Sequence, residues 1–98
     1  MSYGNTVTTR KSPRESYETV LRVLPEQGFK IVRRRDIANL LQGGKQINGV
    51  ERVFNISCMP GAQTKVSVTC LVDGKDASQD EIAAVDGLLS ALNQALSA

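Results

Sequence analysis

The chain has 98 residues, 41% of them hydrophobic and 22% charged, with a net charge of +2, two cysteines and no histidine. That length makes one small domain, and the ordinary balance of apolar and charged residues, without repeats or low-complexity tracts, excludes fibrous, disordered and repeat architectures. The longest apolar runs are only a few residues, far below the roughly 20 that span a bilayer, and residues 1–10 contain no signal-peptide core.

One domain is expected over residues 1–98, with residues 1–5 as an end that can stay disordered. Residues 3–10, with Val7 among threonines, read as a short first strand, because β-branched residues suit a half-buried pleated surface. Ser12-Pro13-Arg14-Glu15 then starts a helix: the serine caps it, proline suits the first helical position, and the glutamate completes a capping box. Tyr17, Val20, Leu21 and Leu24 follow at helical spacing. Pro25 should distort or end the helix, Gly28 supplies the exit, and Phe29 starts a second strand.

Phe54, Ile56 and Cys58 share one parity, as do Val66, Val68, Cys70 and Val72, with polar residues between them. This predicts an antiparallel hairpin with one wet face. A two-residue loop at Pro60-Gly61 would put the two apolar sets on opposite faces, so the loop should enclose an odd number of residues or the hairpin should carry a bulge. Ser78-Gln79-Asp80-Glu81 is a second capping box, opening a long terminal helix with the stripe Ile82, Val85, Leu88, Leu89, Leu92 and Leu96. The sum is an α+β two-layer sandwich, an antiparallel sheet with two helices packed on one face, in the order β-α-β-β-β-α. Its expected core is Val20, Leu21, Leu24, Phe54, Ile56, Val66, Val68, Ile82, Val85, Leu89 and Leu92.

Little in the chain carries chemistry. Without histidine, the commonest general base and metal ligand is missing, and the acids show no paired or calcium-loop spacing, so no enzyme, cofactor or metal is expected. Cys58 and Cys70 share a sheet face, but register keeps them too far apart for a disulfide, leaving two buried free thiols. Gly43-Gly44-Lys45 invites comparison with a phosphate-binding loop and fails it twice. Asn39 stands where the first glycine belongs, and Gln46 where serine or threonine belongs. The glycines and Asn48-Gly49 read instead as a turn or small hairpin.

Charge is unevenly spread, with ten basic and five acidic side chains in residues 1–52 against two and five in residues 53–98. The candidate contact for an anionic partner is Arg33, Arg34, Arg35 and Lys45. Strand alternation splits the arginines between two faces unless a bulge intervenes, and charge on an edge strand also discourages unwanted pairing. A nucleic-acid interface using these residues with Arg10, Lys11 and Arg14 is the alternative; four aromatics in the whole chain leave it few stacking platforms.

The run from Ser16 to Leu21, then Leu24, Gly28-Phe29, Ile31 and Asp36, then the strand Lys65-Val66-x-Val68 and a leucine-rich last helix, resembles the small helix-grip domains of bacterial envelope lipoproteins of the BamC type. That resemblance implies a noncatalytic interaction or scaffold module with a protein partner, periplasmic or attached to the outer membrane. Without it, a cytoplasmic location is expected.

Overall fold

The computed structural model describes residues 2–97. Its elements are β1 (Tyr3–Thr9), α1 (Pro13–Glu26), β2 (Lys30–Arg35), a short 3-10 turn (Asp36–Ala38), β3 (Leu40–Ile47), β4 (Val50–Met59), β5 (Thr64–Cys70) and α2 (Gln79–Leu96). The five strands form one antiparallel sheet in the order β1-β5-β4-β3-β2, so β1 and β2 are its edges. The α+β two-layer architecture and its element order are as the sequence implies, with β3 inserted between the second strand and the hairpin.

Both helices start as their capping boxes dictate. The Ser12 and Ser78 hydroxyls accept from the N–H groups of Glu15 and Glu81, whose carboxylates accept in return from the backbone N–H of each serine. Helix α1 runs one residue past Pro25, whose ring removes only one backbone donor that close to the end. It then stops in a Schellman motif: Gly28 N–H donates to Pro25 O and Phe29 N–H to Leu24 O, with Gly28 at φ +82°. The chain therefore leaves the helix already aimed into β2, with Phe29 buried against the core.

The hairpin closes with Met59 opposite Lys65, enclosing five residues, an odd number. Phe54, Ile56 and Cys58 thus share a face with Val66, Val68 and Cys70, and all six are buried beneath the helices. Val66 lies opposite Cys58, so Cys70 is four residues further along, about 13 Å at ~3.3 Å per residue and beyond the ~7 Å reach of a disulfide. Both thiols are free.

Three expectations need correction. Tyr3, Gly4 and Asn5 are ordered in β1, because they pair with Cys70, Thr69 and Val68 and the Tyr3 hydroxyl donates to Asp86 of α2; Met1 lies outside the described residues. Gly43-Gly44 is no turn but the middle of β3; only Asn48-Gly49 turns, with both residues at positive φ as a tight hairpin requires. In the core, Ile82 is half-buried at the margin, and Glu81 occupies the inward stripe with Val85, Leu88 and Leu92. Leu21 is only partly buried, packed against the core rather than within it.

Candidate functional site

The sheet has two unlike faces. The helices cover one; the other presents alternate residues of every strand to solvent. Where the four candidate basic residues stand depends on one irregularity in β2. Ile31 lies opposite Gly43 and Arg33 opposite Gln42, so Val32 is an extra residue, a β-bulge. After it, Arg34 faces Leu41, which is buried under the helices, while Arg33 and Arg35 face Gln42 and Leu40 on the open side. The structure thus brings Arg33 and Arg35 together and separates both from Arg34 and Lys45.

Arg34 belongs to a polar lock at the helix-side corner. Its guanidinium donates to both carboxylate oxygens of Asp36 at 3.0 Å, the fork geometry that makes such pairs strong. The buried Tyr17 hydroxyl donates to the same carboxylate at 2.5 Å, and Arg14 donates to the Asp36 carbonyl at 2.8 Å. Hydrogen bonds from Arg34 and then Tyr17 hold the Asp36 carboxyl below its usual range, while burial and then Asp36 push the Tyr17 phenol up. The turn so fastened displays Ile37, 94% exposed.

Lys45 serves the helix layer. Its ammonium donates to the Gln27 carbonyl at 3.1 Å and lies 4.9 Å from the Phe29 ring centroid. Helix α1 has no basic residue in its last turn, and Lys45 supplies that positive charge from the neighbouring strand. The lysine after two glycines is therefore a helix cap.

Sequence reasoning missed a second ion pair, one with a buried carboxylate. Arg52 Nε lies 2.6 Å from Glu81 Oε2, an ion pair rather than a straight hydrogen bond, with the carboxylate almost wholly covered. The Ser78 backbone N–H, then Ser78's hydroxyl contact and Arg52, hold the Glu81 carboxyl below its usual range against the opposing effect of burial. A glutamate at the third position of a capping box signalled only the cap. Its second partner lies on β4, far away in sequence.

On the open face, Arg33, Arg35, Leu40, Gln42, Asn55 and Ser57 line a concavity of ≈ 300 Å³ across β2, β3 and β4. Gln42 donates to Asn55 at 2.9 Å. Among the described residues neither Arg33 nor Arg35 has a carboxylate within 4.0 Å, whereas Arg22, Lys30, Arg34 and Arg52 each do. A larger hollow of ≈ 500 Å³ near Arg10, Lys11 and Glu15 is wide open, and Glu15 there is engaged in capping.

Burial pushes the Cys58 thiol up to about 11, and burial followed by Glu81 raises Cys70, so both stay protonated at neutral pH. Among the described residues no three His, Cys, Asp or Glu side chains gather as a metal site, and no helix is long and apolar enough to cross a membrane.

Comparison with known proteins adds the fold. The crystal structure of Ara h 8.0201 matches 100% of this chain and 99% of its own with a TM-score of 0.61 at 14% sequence identity. At that identity the likeness is one of fold alone. No protein-family model and no curated protein matches the chain.

Proposed function

We propose that this domain is a noncatalytic protein-interaction or scaffold module, of the kind found in bacterial envelope lipoproteins, and that it works through its open sheet face. The observation that carries this reading is the asymmetry of the sheet. Both helices lie on one side, and the other side offers a shallow hollow bordered by an edge strand, a common docking mode for proteins. The two helix-side ion pairs and the two protonated thiols are occupied in holding the fold.

The second reading is an anion or nucleic-acid binder, favoured by Arg33 and Arg35, which have no carboxylate partner among the described residues. Site-specific photocrosslinking in cells separates the two. With p-benzoylphenylalanine in place of Asn55 or Ser57, crosslinks to a protein are expected, and none from Glu18 on the outer side of α1. Crosslinks to nucleic acid from the open face would favour the second reading, and protein crosslinks from Glu18 alone would overturn the first. Fractionation of cells carrying the gene with its native upstream sequence checks the envelope placement, which a purely cytoplasmic pool would sink.

A further inference from the structure

We propose that the corner of the open face formed by β2, β3 and β4 takes an extended acidic segment of a partner protein, its alternate carboxylates seated on Arg33 and Arg35; this rests on the interaction role proposed above.

Spacing comes first. Arg33 and Arg35 project from the same side of one strand, two residues apart, so their Cα atoms repeat at about 6.6 Å. An extended peptide repeats its own side chains at that same interval, so acids at alternate positions meet both guanidiniums in register. A helical segment, with 1.5 Å rise per residue, does not.

The surroundings suit a peptide. Leu40, 36% exposed, lies opposite Arg35 and gives the hollow an apolar patch. Gln42 uses its amide nitrogen on the Asn55 oxygen, which leaves the Gln42 oxygen and the Asn55 nitrogen to meet backbone groups of a ligand. The corner is also held in place before any partner arrives. Tyr17, Arg14 and Arg34 all fasten Asp36 immediately after Arg35, so little ordering remains to be done on binding.

Two other occupants fit worse. A second copy pairing antiparallel along the β2 edge would bring arginines against arginines, and like charges across a strand pair destabilise it. Single-stranded nucleic acid needs aromatic platforms, yet Tyr17, Phe29 and Phe54 are buried and Tyr3 reaches toward Asp86 on the helix side.

The test uses a fluorescein-labelled peptide of four Glu-Thr repeats, with four Lys-Thr repeats and an oligothymidylate of equal length as controls. Binding is followed by anisotropy and by amide shifts of the ¹⁵N-labelled full chain at low ionic strength. The acidic peptide should shift the amides of Arg33, Arg35, Leu40 and Gln42, and R33E with R35E should weaken binding by about tenfold or more. R10E with K11E, remote from the hollow, should leave it unchanged. Absence of shifts at this corner, equal binding of the lysine peptide, or tighter occupation of the same amides by oligothymidylate would each overturn the proposal. Protein crosslinks from Asn55 together with no acidic-peptide binding would overturn this inference while leaving the interaction role intact.

Discussion

Charged side chains fare differently on the two faces of the sheet. On the helix side, Arg34 is forked onto Asp36, Arg52 lies against Glu81, and Lys45 caps α1 at Gln27. On the open side Lys30 pairs with Glu51 at one end, but Arg33 and Arg35 at the other have no carboxylate partner among the described residues. Charge that the helix layer covers, as at Glu81, needs a partner, because an unpaired buried charge is expensive. Charge on a solvated face needs none, which leaves those arginines available. Three consecutive arginines thus hold two jobs: one builds the corner and two face outward from it.

Substitutions can break this contrast. Phe54→Ala removes a fully buried ring packed edge-on against Phe29 at 5.0 Å, and should lower unfolding stability by about 3–5 kcal/mol in urea titrations. Asp36→Asn probes the helix-side charges. Because Asp36's carboxyl is held low in the folded state, its contribution is present above the ordinary carboxylate value and is lost as pH falls through the folded value. The difference in urea midpoint between the parent and Asp36→Asn should therefore be steady near neutrality and shrink on acidification; a gap that widens toward low pH would reverse the assignment. The smallest effect is expected on the open face. Arg33→Ala and Arg35→Ala should each change stability by no more than about 0.5 kcal/mol. A larger loss would mean that these side chains support the fold.

Much of this architecture was legible in the sequence because it rests on local signals. Two capping boxes mark both helix starts, and the parity of Phe54, Ile56 and Cys58 against Val66, Val68 and Cys70 sets the hairpin face and its odd loop. Strand β3 was not legible, since paired glycines are poor strand formers and read as a turn. A Cβ at Gly44 would meet the flexible end of Glu51, which would have to swing away from Lys30, and would crowd Val32. The candidate site was half legible. Alternation forced the arginines apart, but nothing about Val32 announces a bulge, so which of them face outward was open. Lys45 and the Arg52–Glu81 pair depend on contacts between distant elements, which no local pattern records.

The bulge at Val32 also makes strand pairing a determinant of surface charge. Were Val32 paired in strict alternation instead of bulged, Arg33 and Arg35 would turn toward the helices and Arg34 outward. Two chains with the same arginine count, differing only in whether that bulge forms, would present two outward guanidiniums or one, and the unbulged strand would force two charges beneath the helix layer. Binding preference at this surface is accordingly encoded in how the strand is paired between Ile31 and Arg33 as much as in the arginines themselves.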